Sequence, residues 1–297
     1  MYGPVQILDG KTLSVTIQRE LADEVDTMLA NGQKPPHLAA VIVGANPASK
    51  VYVGHKIKAC DRVGYQSSII ELPDDITQDA LIQEIEKLNA NDDIDGYIVQ
   101  LPLPRHIDND VIIQAVSPEK DVDGFHPINI GKMTMGLDTF IPATPYGIIT
   151  LLDRYDISTE GKTVLVLGRS NIVGTPISIL LSRNSKVGNA TVTLAHSRTK
   201  NLEELCKESD IIVAAIGRDR FVKEHMVKEG AVIIDVGINS IPDATKKKGY
   251  RLVGDVDFDN VVDKCAFITP VPGGVGPLTV AALMMNTLKA TQLYRKK

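Results

Sequence analysis

The sequence contains no tryptophan, and aromatic residues make up only 4% of its 297 residues. Proteins that bind single-stranded nucleic acid stack the bases on aromatic side chains, so this class of function is disfavoured. The net charge is −5, which gives no general attraction to a phosphate backbone. We therefore expect no nucleic-acid partner.

Cysteine is also scarce. Cys60, Cys206 and Cys265 are far apart and form neither a CxxC pair nor a disulfide framework, which is typical of a reducing compartment. We predict that each is buried as a small hydrophobic residue. The six histidines show no HxxxH or HExxH spacing, so we expect no histidine-built zinc site and assign no metal.

Long apolar runs are absent as well. No run reaches the roughly 18 residues that a membrane-spanning helix requires. The first residues, MYGPVQILDGK, contain neither an apolar signal core nor an arginine-rich amphipathic leader. We expect a cytoplasmic protein with no membrane partner.

What is present is enough apolar material for two domains. The hydrophobic content is 43%, and the length is about twice that of a usual domain. Apolar runs of strand length alternate with helical periodicity, which predicts two α/β domains, the second a Rossmann-like doubly wound parallel sheet. The same pattern predicts helices over 48–63 and 222–229. A segment over 117–147, rich in Pro, Gly and Asp, reads as irregular, and irregular segments of this length are usually functional.

The stretch VLVLGRSNIVGTP (164–176) is typical of a nucleotide-binding strand, turn and helix start. Gly168 lets the chain leave the strand sharply, and Gly174 with neighbouring amides can approach a pyrophosphate at the start of the helix. Ser170 and Val173 occupy the other two glycine positions of the usual GxGxxG pattern. A tight turn without a ligand is therefore the alternative interpretation.

The end of the next strand favours NADP over NAD. An NAD site usually has a carboxylate there for the ribose hydroxyls, whereas this chain has His196, Ser197 and Arg198. Together with Arg169 in the first turn, two guanidinium groups and a hydroxyl suit a 2′-phosphate. Further cofactor contacts are predicted after the following strands and before the last helix, at Gly217, Gly237, Ile238 and Gly274.

A second candidate site begins with Tyr52 and Lys56, which lie four residues apart on one face of the predicted helix 48–63. On spacing alone, an exposed helix face is the more ordinary interpretation. Short-chain dehydrogenases share the Tyr-x-x-x-Lys spacing, but there the tyrosine follows the nucleotide fold, whereas here it precedes it by more than a hundred residues. Helical phase assigns His55 to the surface.

Three further stretches strengthen the functional interpretation of that pair. The run GYIVQLPLP ends a buried strand at Gln100, where open α/β sheets bind their ligands. KDVDGF contributes Asp121, which we expect to be structural as a loop cap, and Asp123. PVPGGVGPLT supplies a glycine-rich backbone just before the last helix, and its residues 272–274 could contact either ligand.

Taken together, these stretches resemble the bifunctional methylenetetrahydrofolate dehydrogenase/methenyltetrahydrofolate cyclohydrolase family. The resemblance covers nearly the whole chain and rests on the segments ASKVYVGHKIKAC, VQLPLP, PEKDVDGFHPINIG, PATPYGI, GRSNIVGTP, AHSRTKNL, VIIDVGIN, VGDVDF and TPVPGGVGPLT. One departure is Leu278, which follows GGVGP where the family commonly has methionine, a nearly volume-neutral change.

The resemblance implies two α/β domains flanking a cleft, with a last helix that returns to the first domain. Folate would bind the domain formed by 1–145 and 273–297, and NADP the domain 146–272. The expected assembly is a homodimer through the nucleotide domain. The implied reaction is oxidation of 5,10-methylenetetrahydrofolate by NADP, followed by hydrolysis of the methenyl product to 10-formyltetrahydrofolate.

The same resemblance assigns roles to individual residues. Lys56 matches the catalytic lysine, Gln100 the residue that contacts it, Tyr52 the residue that orients the folate, and Asp123 the residue that holds the pterin ring. The remaining predicted substrate contacts are Leu101, Pro272 and Gly273.

The chemistry of these residue types agrees with the implied roles. Hydride transfer mainly needs alignment of the two reacting groups, whereas ring opening needs a proton taken from water and moved to a nitrogen. Burial and a cationic substrate both favour the neutral amine that such a lysine needs, and Gln100 can hold it without a negative charge. Ionised Asp123 can accept from the N–H and amino donors of the ring.

Two other interpretations remain open. A non-catalytic NADP- or folate-binding regulator could use the same fold, although Lys56 and Gln100 are both present. A dehydrogenase of the shikimate type for another small metabolite is disfavoured by the KDVDGF and GGVGP stretches.

Overall fold

The computed structural model describes residues 5–246 and 248–295, which form two compact units. The three-stranded unit consists of Val15–Ala143 and the segment that begins at Val280. The six-stranded unit consists of the segment that ends at Ser14 and of Thr144–Thr279. Each unit contains one parallel sheet with helices, so the predicted α/β class is confirmed.

In chain order the elements are β1 (Gln6–Ile7), α1 (Gly10–Ala30), β2 (His37–Val43), α2 (Pro47–Val63), β3 (Gln66–Leu72), α3 (Gln78–Ala90), β4 (Gly96–Val99), α4 (Asn109–Ala115), α5 (Pro127–Met135), α6 (Ala143–Arg154), β5 (Thr163–Leu167), α7 (Gly174–Ser182), β6 (Thr191–Ala195), α8 (Leu202–Glu208), β7 (Ile211–Ala214), β8 (Ala231–Asp235), β9 (Asn239–Pro242), β10 (Tyr250–Val253), α9 (Phe258–Val261), β11 (Cys265–Ile268) and α10 (Val275–Tyr294).

The sheet of the three-stranded unit has the order β3-β2-β4, and both pairings are parallel. β2 is central, and it is apolar from Leu38 to Val43 because both of its faces are covered. Helix α3 begins after Thr77, whose side chain accepts from the amide of Ala80 at 3.2 Å, and it buries Leu81, Ile85 and Leu88 at helical spacing. These side chains join the core beneath the sheet.

The last helix, α10, is anchored in the same unit by buried polar contacts. The hydroxyl of Tyr65 donates to the carbonyl of Met284 at 3.0 Å. Asn286, only 1% exposed, donates through Nδ2 to the carbonyls of Val122 and Ile141 at 2.8 and 2.9 Å. From Val280 onward, α10 therefore lies in the three-stranded unit.

The sheet of the six-stranded unit has the order β1-β11-β8-β7-β5-β6, and all five pairings are parallel. β7 and β8 are buried along their whole length. The carboxyl ends of neighbouring strands meet in register, since Leu167 lies opposite Ala195 and Ala214 opposite Asp235. A separate antiparallel hairpin, β9–β10, follows β8.

Two local features differ from the sequence prediction. The segment 117–147 contains α5, which has Pro127 in its first turn and ends at Gly136 in the left-handed conformation, so the Pro and Gly residues mark helix boundaries rather than irregular chain. The prediction of a helix over 222–229 is wrong. Only a 3₁₀ turn, Glu224–Met226, forms there, because Met226 and Val227 are drawn into the core.

The units also divide the chain differently from the predicted domain boundaries. The segment that ends at Ser14 lies in the six-stranded unit, because β1 pairs with β11 and the amide of Leu8 donates to the carbonyl of Ile268 at 2.8 Å. The junction before the last helix falls at Thr279 rather than at residue 273. Short pairing strands of this kind carry little sequence signal.

All three cysteines are buried, as predicted. Burial raises the pKa of the Cys60 and Cys265 thiols to about 12 and that of Cys206 to about 11. Within residues 5–246 and 248–295, no helix combines the length and the apolar character needed to cross a membrane.

Candidate active site

The structure brings Lys56 and Gln100 into direct contact in the three-stranded unit. Lys56 lies on α2 and is half-buried, and its Nζ donates to Oε1 of Gln100 at 3.2 Å. Gln100 follows β4, and its backbone amide donates to the carbonyl of Val41 at 2.9 Å. Its Nε2 donates to the carbonyl of Leu101 at 2.7 Å, which leaves Oε1 to accept from the lysine.

Tyr52 lies one helical turn before Lys56, on the same face of α2. The side chain is 47% exposed, which is unusual for a tyrosine and leaves the ring open to a ligand. His55 is exposed, in agreement with its helical phase.

The loop that carries Asp123 is held by its neighbour Asp121. The Asp121 carboxylate is buried and accepts from the three successive amides of residues 124–126, at 3.1, 3.2 and 2.7 Å. It also accepts from Nδ2 of Asn129 at 2.8 Å. Burial raises the pKa of Asp121 to about 7, and the hydrogen bonds from Asn129, His126 and Phe125 oppose this shift. Asp121 is thus the loop cap that the sequence predicted.

Asp123 is half-buried, and burial raises the pKa of its carboxyl above the usual value. The charge of Lys56 opposes this rise. Leu101 and Asp123 line the same narrow cavity, whose other walls are mostly apolar side chains of β4 and α4. Five of the predicted substrate residues therefore lie in one unit.

The turn between β5 and α7 requires glycine at both predicted positions. Gly168 has φ +109°, and its amide donates to the carbonyl of Ala195 at 2.9 Å. A Cβ on Gly174 would lie 1.9 Å from the carbonyl oxygen of Gly168. Ser170 stabilises the turn through Oγ, which accepts from the amides of Val173 and Gly174 at 3.2 and 3.3 Å. Helix α7 begins there.

The residues predicted to select NADP follow two neighbouring strands. Arg169 comes after β5, and Ser197 and Arg198 come after β6, and all three are exposed. The loop after β6 is closed by His196, whose Nδ1 accepts from the amide of Arg198 at 3.2 Å. No carboxylate lies between residues 196 and 200. The exposed cations and the hydroxyl fit a phosphorylated ribose.

The other predicted cofactor residues occupy the ends of β7 and β8. Gly217 has φ +66° and is exposed, and Ile238 is 49% exposed. Gly237 is buried against Asp255, whose Oδ1 would lie 2.3 Å from an added Cβ.

Pro272, Gly273 and Gly274 form a tight loop before α10 in the same unit. The carbonyl of Gly273 accepts from the amide of Lys11 at 2.8 Å. A Cβ on Gly10 would lie 1.9 Å from the carbonyl oxygen of Gly274. Gly10 therefore allows the start of α1 to approach this loop closely.

Sequence reasoning gave no role to Asp235 and Asp255, two buried carboxylates that organise the loops after β7 and β8. The stretch VGDVDF contributed to the family resemblance, but nothing in its pattern says which amides an aspartate will meet. In the part of the chain that the structure describes, no three His, Cys, Asp or Glu side chains cluster as metal ligands.

Two family models together match most of the chain. Residues 8–123 match the family model of the tetrahydrofolate dehydrogenase/cyclohydrolase catalytic domain, and residues 142–295 match that of its NAD(P)-binding domain. The bifunctional protein FolD of Cytophaga hutchinsonii is 56% identical over 289 residues, which cover 97% of this chain and 100% of that protein.

Solved structures are similar over nearly the whole chain. The bifunctional FolD enzyme of Campylobacter jejuni is 44% identical with a TM-score of 0.91, covering 97% of this chain and 99% of that one. The Trypanosoma brucei methylenetetrahydrofolate dehydrogenase-cyclohydrolase, solved with NADP cofactor and an inhibitor, is 38% identical with a TM-score of 0.92 and covers 98% of both chains. With two matching family models and relatives above 50% identity, the chain belongs to the tetrahydrofolate dehydrogenase/cyclohydrolase family.

Proposed function

We propose that this chain oxidises 5,10-methylenetetrahydrofolate to 5,10-methenyltetrahydrofolate with NADP and then hydrolyses the product to 10-formyltetrahydrofolate. The observation that carries the proposal is the contact of the Lys56 amine with Gln100 on the three-stranded unit. A half-buried amine held by a neutral amide is suited to proton transfer rather than to a structural ion pair.

In the dehydrogenase step, a C–H bond of the methylene bridge breaks and its hydride leaves with both electrons. NADP, when bound, accepts this hydride at the nicotinamide ring. The folate keeps a positive charge that is shared over N5, the bridge carbon and N10. The task of the chain is alignment, for which we propose the open Tyr52 ring and the Asp123 carboxylate as folate contacts.

In the cyclohydrolase step, water forms a bond to the bridge carbon and loses a proton, and we assign the Lys56 amine as the group that takes it. The new hydroxyl then loses its proton as the bond from that carbon to N5 breaks, and N5 takes up the proton held by Lys56. This leaves the formyl group on N10 and releases one proton to solvent. Gln100 holds the amine through a neutral oxygen at 3.2 Å, so it does not stabilise the ammonium as a carboxylate would.

We assign folate, with Leu101 as a further contact, to the three-stranded unit and NADP to the six-stranded unit. Pro272, Gly273 and Gly274 lie before α10 in the latter and remain candidate contacts to either ligand. The exposed Arg169, Ser197 and Arg198 support NADP over NAD. Comparing kcat/KM for the two cofactors tests this preference, and a clear preference for NAD would overturn it.

The activity itself is tested with purified protein, methylenetetrahydrofolate and NADP. We expect formation of NADPH together with transient absorbance of the methenyl product, which then decays to the formyl product faster than it does without protein. A non-catalytic regulator on the same fold would bind the ligands but give neither signal, and that result would refute the proposal.

We further propose a cytoplasmic homodimer assembled through the nucleotide domain. Three buried, unpaired thiols support a reducing compartment. β6 lies at the edge of the six-stranded sheet, where a second copy could pair. Sedimentation at micromolar concentration is expected to give twice the chain mass, and a species of one chain mass would contradict the dimer.

A further inference from the structure

Two buried aspartates in the six-stranded unit have no part in the proposed chemistry, yet they meet an unusual number of donors. Asp255 is 0% exposed. Its Oδ2 accepts from the amides of Ile216 and Gly217 at 2.7 and 2.9 Å, and its Oδ1 accepts from the amide of Arg218 at 2.9 Å. Three successive amides thus converge on one carboxylate.

The same carboxylate also holds the next loop. Oδ1 of Asp255 accepts from Nδ2 of Asn239 at 2.9 Å, and Asn239 is the first residue of β9. Asp255 therefore joins the loop after β7 to the loop after β8. Hydrogen bonds to a charged acceptor are stronger than neutral ones, so this junction is well defined.

Asp235 fixes Asp255 in turn. Its Oδ1 accepts from the amides of Gly237 and Asp255, each at 2.9 Å, and its Oδ2 accepts from the amide of Val256 at 2.9 Å. A Cβ on Gly254 would lie 1.8 Å from Oδ2 of Asp235. The two carboxylates and their loops are packed without room for adjustment.

The outer side of these loops is open. A Cβ on Gly217 would meet nothing within 4 Å, and Ile238 is 49% exposed. Both loops follow the carboxyl ends of adjacent strands, where open α/β sheets bind their ligands. The amides of residues 216–218 are already occupied by Asp255, so this loop can serve a ligand through its shape rather than as a phosphate cradle.

We infer that Asp255 is a positioning residue for NADP: it sets the conformation of the loops 216–218 and 237–239, whose outer surface receives the cofactor. This inference rests on the proposed function, because it takes NADP as the ligand of the six-stranded unit. Asp255 acts through these loops, so its removal should affect steps that need the cofactor and spare the hydrolysis that does not.

The test is Asp255→Asn. The substitution keeps the shape of the side chain but replaces one carboxylate oxygen, which accepts two hydrogen bonds, by an NH₂ group. At least two hydrogen bonds are lost, and the NH₂ group then lies against other N–H donors. We expect KM for NADP in the dehydrogenase assay to rise at least tenfold. Hydrolysis of methenyltetrahydrofolate without NADP is expected to keep its KM and kcat within twofold.

Asp210→Asn is the matched control. Asp210 immediately precedes β7, so it lies at the amino-terminal ends of the strands rather than at their carboxyl ends. Its carboxylate accepts from the amide of Thr163 at 2.8 Å and from Nζ of Lys228 at 2.7 Å. It loses a similar number of contacts, but it is remote from the carboxyl ends of the strands. We expect its KM for NADP to stay within twofold of wild type.

The outcomes separate the inference from the proposed function. If wild-type protein does not reduce NADP with methylenetetrahydrofolate, the proposed function fails. If wild type is active and Asp255→Asn either keeps its KM for NADP or loses both activities equally, the inference is overturned. If Asp255→Asn does not fold, Asn239→Ala is the deciding variant, because it removes one of the four donors to the Asp255 carboxylate. A rise of about threefold in KM for NADP would support the inference, and an unchanged KM would overturn it.

Discussion

Gln100→Glu tests directly whether the neutrality of the amide beside Lys56 matters. At the 3.2 Å that separates Nζ from Oε1, a full negative charge would stabilise the ammonium by about 5 kcal/mol at an effective dielectric constant of about 20. Both side chains are partly open to solvent, so we reduce the stabilisation of the ammonium to about 1.5–3 kcal/mol. This energy corresponds to a decrease of about 10- to 150-fold in the fraction of neutral amine.

We therefore expect the cyclohydrolase kcat/KM of Gln100→Glu to fall by one to two orders of magnitude near pH 7. The loss should become smaller as the pH rises, because the new carboxylate acts only by favouring the protonated form of the amine. The assay follows loss of methenyl absorbance between pH 6.5 and 9, with the uncatalysed rate subtracted. The dehydrogenase rate should change less, since it has no obligatory proton to move.

Gln100→Met separates the charge from the lost contacts. It removes the bonds to Lys56 and to the Leu101 carbonyl without adding a charge, so any loss of activity should persist across the pH range. If Gln100→Glu shows the pH profile of wild type, or if the two variants behave alike, the assignment of proton transfer to the lysine is refuted.

Three further predictions follow from the same structure. Lys56→Met should lower cyclohydrolase kcat by at least about 100-fold while some dehydrogenase activity remains; equal loss of both, with folate affinity intact, would contradict the division of roles. Asp123→Asn should raise KM for folate about tenfold in both reactions, because hydrogen bonds to a charged group are lost. Burial raises the pKa of the Asp123 carboxyl. Wild-type folate affinity should therefore be full above that raised pKa and fall as the pH drops through it. If Asp123→Asn shows the same pH dependence of folate affinity, the assignment of Asp123 to the folate is contradicted. Asn286→Ala leaves two buried carbonyls without their donor and should lower the free energy of unfolding in urea by about 2–4 kcal/mol. Its control is Gln292→Ala on the exposed face of the same helix, where the change should stay within about 0.5 kcal/mol, and equal values for the two would refute the account.

The sequence was a sound guide wherever a local pattern suffices. The apolar run Leu38–Val43 predicted the buried strand β2, since a parallel strand covered on both faces shows no alternation. Spacing put Tyr52 and Lys56 on one face of α2 because the helical period requires it. The turn at Gly168 and Gly174 was predicted from its glycines, and the backbone contact between them gives the steric reason.

Helix boundaries were harder to predict. Pro127 and Gly136 look like breakers in a Pro- and Gly-rich segment, yet they begin and end α5. The helix predicted over 222–229 failed for the opposite reason. Its apolar residues are buried in the core of the six-stranded unit. The burial of these side chains outweighs the weak helix propensity of the segment.

The amino-acid sequence by itself determined the fold class, the family and the residue types of both candidate sites, because periodicity and motif spacing are local properties. Tertiary structure alone decided which groups meet. Lys56 and Gln100 are 44 residues apart in the chain, and Asp255 reaches amides 37 to 39 residues away. Those contacts depend on how the strands lie beside one another, since parallel pairing brings distant carboxyl ends to one edge of a sheet.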